Sequence, residues 1–229
     1  MKPLATIVFA ASLLFTSINK TSAENHTFRV ASPERPKDAP KVVYLFDGKK
    51  NHRIKLPGMN LSPVIRLPKG GQTIVLSPEK ITEPDAITED LPVLKIPKGV
   101  ADFYVLITAD PKNKQFPVRM RLIDAGGGKL KAGETLWVNL TPHAITAKLG
   151  GNEVKINPQT QIGSQAPFAK SGYYNVEFTY QVNGKGASAP ITEQQWWHDA
   201  KSKHLGFITN TGGRLPKVNF FRDFRSGKR

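Results

Sequence analysis

The 229-residue chain contains no cysteine, and that single absence removes several chemistries. Disulfide staples, thiolate nucleophiles, cysteine metal ligands and a lipid anchor on an N-terminal cysteine are all excluded. Acidic residues are scarce: 18 Asp and Glu stand against 33 Lys and Arg, a net charge of +15 at pH 7. Long apolar runs are missing as well. The longest, Leu4 to Phe15, is too short to cross a bilayer, and no later run approaches the roughly 20 residues a span needs. Catalytic signatures are equally thin. Ile162-Gly163-Ser164-Gln165 lacks the second glycine of a nucleophile elbow, and no Walker loop, His-Glu-x-x-His or dinucleotide fingerprint occurs. The remaining enzymatic route is a pair of opposed carboxylates, with Asp124, Glu134, Glu177 and Asp199 as candidates. Eighteen carboxylates on a surface supply such pairs by chance, so the reading leans away from an enzyme and assigns no catalytic residue and no cofactor.

What is present begins at the N-terminus. Lys2, the apolar Leu4–Phe15 run and the small residues Thr21-Ser22-Ala23 compose a secretory signal peptide over residues 1–23. Cleavage would leave a mature chain of 24–229 with no transmembrane anchor. It removes Lys2 and Lys20 from the 33 cations and no acid, leaving 31 against 18. An exported chain this long without disulfides fits a bacterial type, periplasmic or secreted.

Period-2 alternation dominates the mature chain. Phe116, Val118, Met120 and Leu122 share one side of a strand, with Arg119 and Arg121 on the other. Tyr174, Val176, Phe178, Tyr180 and Val182 line one face of a longer strand. Turn chemistry at Asp47-Gly48, Lys69-Gly70-Gly71, Ala125-Gly126-Gly127-Gly128 and Gly150-Gly151 separates such segments. The pattern predicts an all-β antiparallel β-sandwich of immunoglobulin-like, Greek-key type, with roughly 11–13 strands in one domain over 24–229. One short helix is expected over Glu193–Lys201, because Thr192-Glu193-Gln194-Gln195 satisfies the capping-box rule. Residues 78–92, with three prolines and five acids, mark a possible subdivision and read as a solvated acidic connection, since their spacing matches no EF-hand loop.

Two sets of residues carry the functional expectation. The first is cationic: Lys49, Lys50, Arg53 and Lys55 in one hairpin, and Arg214, Lys217, Arg222 and Arg225 near the C-terminus among Phe220, Phe221 and Phe224. Such clusters suit an anionic partner, an acidic polysaccharide or another envelope polymer, and other envelope proteins are further candidates. The second set is aromatic: Trp137, Trp196 and Trp197 are potential stacking platforms for a carbohydrate-binding module. Trp137 falls on the polar side of its strand, opposite Leu136, Val138 and Leu140. Five histidines remain, and no metal site is assigned to them. His198 and His204 lie six residues apart, a turn of about 240° on a helix, which would point them away from each other, although a helix ending near Lys201 would still let them converge.

Overall fold

The computed structural model describes residues 26–34, 39–56, 58, 60–68, 70–182, 187–210 and 215–224. The signal-peptide region, Arg214 and Arg225 lie outside the described residues. Sixteen strands follow one another within them. The first eight are β1 (His26–Ala31), β2 (Val42–Phe46), β3 (Asn51–Lys55), β4 (Ile65–Leu67), β5 (Gln72–Ser77), β6 (Val93–Ile96), β7 (Asp102–Ala109) and β8 (Val118–Asp124). The second eight are β9 (Thr135–Asn139), β10 (Ile145–Leu149), β11 (Asn152–Ile156), β12 (Gln161–Ser164), β13 (Gly172–Gln181), β14 (Ser188–His198), β15 (Lys203–Thr209) and β16 (Lys217–Asp223). The only helical element among the described residues is a 3-10 turn at Pro84–Ala86.

The strands build four sheets of four. An outer sheet β3-β2-β5-β6 and an inner sheet β4-β1-β7-β8 make the first half. An inner sheet β12-β9-β15-β16 and an outer sheet β11-β10-β13-β14 make the second. The two halves repeat one topology strand for strand, including the parallel pairs β1–β7 and β9–β15 among otherwise antiparallel ladders. The expected all-β sandwich architecture is what the chain forms, with sixteen strands among the described residues where roughly 11–13 were expected and two parallel pairs in an otherwise antiparallel pattern. Its repeat is one of connectivity, carried by apolar parity and turn placement, with no recurring motif in the residues themselves.

Apolar residues fall into three layers between the four sheets. Phe28, Val105 and Ile107 of the first inner sheet meet Val43, Leu45 and Ile74 of its outer sheet. Tyr104, Leu106 and Ile123, on the opposite side of the same inner sheet, meet Leu136, Val138 and Phe207 of the second half. Trp137 and Ile208 meet Ala147, Val176 and Phe178 in the third layer. The inner sheets are therefore covered on both faces. Their central strands abandon alternation for continuous apolar runs, as Phe103 to Ile107 shows with every residue fully buried.

Segment 78–92 lies between two strands of one sheet. It links β5 to β6, which pair directly at Thr73–Lys95 and Ile74–Leu94 in one sheet. The changeover between halves falls at residues 125–134, where Gly127, Gly128 and Gly133 take positive φ. The expected helix is replaced. Ser188–His198 is a strand that pairs with β13 along ten partners, with one register break opposite Phe178 and Thr179. The ladder satisfies the backbone that a capping box would have served, and Ile191, Thr192 and the tandem tryptophans suit a pleated surface. Pro190, without an N–H, is tolerated because β14 is an edge strand beside that break.

Candidate functional site

The first cationic cluster is built on the β2–β3 hairpin. Gly48 turns the chain at φ 88°, and Asp47 closes the loop by accepting the backbone N–H groups of Lys49 (2.9 Å) and Lys50 (2.7 Å). The other carboxylate oxygen of Asp47 lies 2.8 Å from His52 Nε2. Burial pushes this carboxyl up, but the His52 hydrogen bond and the two backbone donors outweigh it and hold Asp47 below the usual carboxylate range. Asp47 is thereby committed to the hairpin. Lys49 and Lys50 are exposed at its tip, and along β3 the buried Ile54 alternates with exposed Arg53 and Lys55.

Beside the hairpin runs β4, the edge strand of the inner sheet, and it contributes the exposed Arg66. A groove of about 270 Å3 opens between the two, lined by Asp47, Lys49, Lys50, His52, Arg66, Leu67 and Pro68. Among the described residues, none of Lys49, Lys50, Arg53, Lys55 or Arg66 forms an ion pair. Neither Arg66 nor His52 was expected at this site. Arg66 is 11 residues from the nearest hairpin lysine, and only the pairing of β4 with β1 carries it to the groove.

The second cluster sits elsewhere. Lys217 and Arg222 are exposed on β16, at the edge of the second inner sheet, where the Arg222 guanidinium lies 5.9 Å over the Phe224 ring. The first inner sheet intervenes between β16 and β3. Two inter-sheet spacings of about 10 Å each separate the clusters, so they do not merge into one patch.

The tryptophans divide three ways. Trp137 is fully buried, and its Nε1–H donates to Ser164 Oγ at 3.0 Å, so it has no face to offer a ligand. Its side of β9 reads as polar in isolation, yet it faces the third apolar layer. Its register partner on β15 is Gly206, where a Cβ would stand 2.0 Å from the indole. Trp196 is half-buried against Trp137, Phe178 and Phe220. Trp197 alone is exposed, with its ring centroid 4.9 Å from that of the exposed Tyr173 at 74°. The next outward-facing cross-strand pair is Asn175 and Gln195, and beyond it Glu177 opposes Glu193 while accepting from Lys148 at 2.9 Å.

The carboxylates considered for hydrolysis are each engaged locally. Asp124 pairs with Lys129, Glu134 accepts the Lys131 N–H, Glu177 pairs with Lys148, and Asp199 accepts Ser202 Oγ–H at 2.6 Å. No group of three or more metal-capable side chains occurs among the described residues. His198 and His204 do converge, because a turn joins β14 to β15 where a helix was expected. Their ring centroids are 5.6 Å apart, and both residues are buried. Burial, and then the neighbouring His198, lowers His204 to about 4. No protein-family model matches the chain, and no curated protein matches it either.

Proposed function

We propose that this is an exported, non-catalytic binding protein that takes up an acidic polysaccharide of the cell envelope along its β2–β3 hairpin flank. The supporting observation is a groove lined by Lys49, Lys50 and Arg66, whose single carboxylate is already engaged by His52, with Arg53 and Lys55 exposed on the outward face of the same hairpin. Cations without counter-ions repel one another, and a polymer with regularly spaced carboxylates relieves that repulsion while releasing its own counter-ions. The two edge strands present long flexible side chains, which suit a repeating anion better than a single rigid ligand. The signal-peptide-like N-terminus and the absence of cysteine support an exported location for such binding.

The test is binding of residues 24–229 to polygalacturonate across a salt series. Affinity should fall steeply between 50 and 200 mM salt, by about a power of ten or more if three or more charges are neutralised. The triple substitution Lys49→Glu, Lys50→Glu, Arg66→Glu should weaken binding about tenfold or more and flatten the salt slope. Unchanged affinity in that variant would remove the hairpin from the reading.

A second reading has its own support on the outer face of the second half. Tyr173 and Trp197, followed by the Asn175–Gln195 pair, combine ring surface with amide hydrogen bonding as a neutral glycan requires. Binding of that kind should persist at high salt and disappear with Trp197→Ala.

A further inference from the structure

On the opposite edge of the first inner sheet from β4, strand β8 carries a further, third concentration of positive charge in Arg119 and Arg121. Its parity is unusual. Val118, Met120 and Leu122 point into the first apolar layer, and Ile123 points into the middle layer between the halves. Arg119 and Arg121 share the side of Ile123, so two guanidinium groups stand where the middle apolar layer runs out. A crevice of about 290 Å3 opens there, between the sandwiches. Leu106 and Leu140 give its apolar wall, Met120 borders it from β8 between the arginines, and its polar lining is Thr108, Gln159 and the two arginines.

No carboxylate lines this crevice, and neither arginine forms an ion pair among the described residues. Arg119 Nε–H donates to Thr108 Oγ1 at 3.1 Å, which orients the guanidinium and leaves its terminal nitrogens for a ligand. Across the crevice, Gln159 holds a left-handed backbone at φ 58°, the only positive φ outside glycine among the described residues. That conformation costs a non-glycine residue about 1 kcal/mol or more. Its amide Nε2 donates to the Leu140 carbonyl at 2.8 Å, so the side chain is pinned with its oxygen as the remaining acceptor.

Paired guanidiniums, an apolar wall and a fixed amide acceptor together describe one kind of guest. We propose that the crevice seats a single uronate unit: its carboxylate on Arg119 and Arg121, its ring against Leu106 and Leu140, and a hydroxyl donating to Gln159 Oε1. Planar guanidinium matches a carboxylate in two parallel hydrogen bonds, a geometry that a lysine cannot supply. This inference rests on the acidic-polysaccharide reading and adds that one residue of such a chain is read individually, at the joint between the halves.

The experiment is calorimetric titration of residues 24–229 with methyl galacturonide, with methyl galactoside and inorganic phosphate as parallel arms. The wild type should bind the uronide and not the neutral galactoside. Arg121→Ala and Arg119→Ala should each weaken binding about tenfold, the loss expected for a charge-assisted hydrogen bond. Arg121→Lys, which keeps the charge and the fold, should also lose affinity. Uronide binding that survives Arg119→Ala and Arg121→Ala, or no uronide binding by a wild type that still binds polygalacturonate, would overturn the crevice assignment alone. Phosphate bound as tightly as the uronide would replace the sugar by a simple anion. Failure of both the polymer and the uronide would remove the underlying reading too.

Discussion

His204 is the second residue of β15, its imidazole buried against His198, Phe220 and the turn at Gly133, and neither ring nitrogen has a hydrogen bond of normal geometry among the described residues. A proton on that ring would have to be carried in an apolar layer beside a second histidine. His198 is lowered by burial in the same way, whereas Asp199 is held low by its Ser202 hydrogen bond and Arg222 adds a further positive charge nearby. The linkage has a definite sign. With a folded-state value of about 4 against 6.5, the unfolded chain binds the proton more readily, so stability falls as pH drops from about 6.5 to about 4 and then levels. The loss from His204 is on the order of 3 kcal/mol at most. Urea unfolding at pH 7.5, 5.5 and 4 should show that decline, and His204→Leu should flatten most of it. An unchanged decline in the variant would move the effect to another group.

At the scale of the element, β14 shows why adjacent tryptophans need not be equivalent. In a strand they point to opposite faces, and register sets Trp196 opposite the buried Tyr174 and Trp197 opposite the exposed Tyr173. Trp196→Ala should cost about 3 kcal/mol, because it opens a cavity against Trp137, Phe178 and Phe220. Trp197→Ala should cost less than about 1 kcal/mol. Guanidinium midpoints of the two variants check the pair, and equal losses would contradict the strand phase. The free edge of β14 is also protected against pairing with another chain. Pro190 and Glu193 interrupt it, as does the register break opposite Phe178 and Thr179.

For the molecule as a whole, the joint between halves is apolar at its centre and ionic at its margin. Asp223 of β16 is fully buried and receives Arg29 Nη1–H at 2.9 Å and the Tyr104 hydroxyl at 2.6 Å, both from the first half. Lys203 of β15 reaches Asp102 of β7 at 2.8 Å. Two inner sheets of the same topology thus face each other, much as two subunits meet across an interface, here within one chain. Asp223→Ala should destabilise by about 3–5 kcal/mol, since it strands the Arg29 charge among buried groups. Scanning calorimetry should show a lower melting temperature, and an unaltered one would mean that the apolar layer alone holds the halves together.

Local pattern was enough for the class of the fold and for the charge of the site. Alternation over Val118–Leu122 and Tyr174–Val182, the Asp47-Gly48 turn, and the lysines of the first hairpin are properties of neighbouring residues, legible without knowing what they pack on. What required the tertiary structure was everything set by long-range register. The stacking of four sheets buried Trp137 on a face that looks polar in sequence, since Gly206, its flat seat, lies 69 residues away. The β13 ladder turned a capping box into a strand, and β4 carried Arg66 to the hairpin groove. The layer between the halves brought Arg119 and Arg121 against Leu140 and Gln159. Side-chain parity is written in the chain, but which side meets solvent is decided by the sheet that covers it.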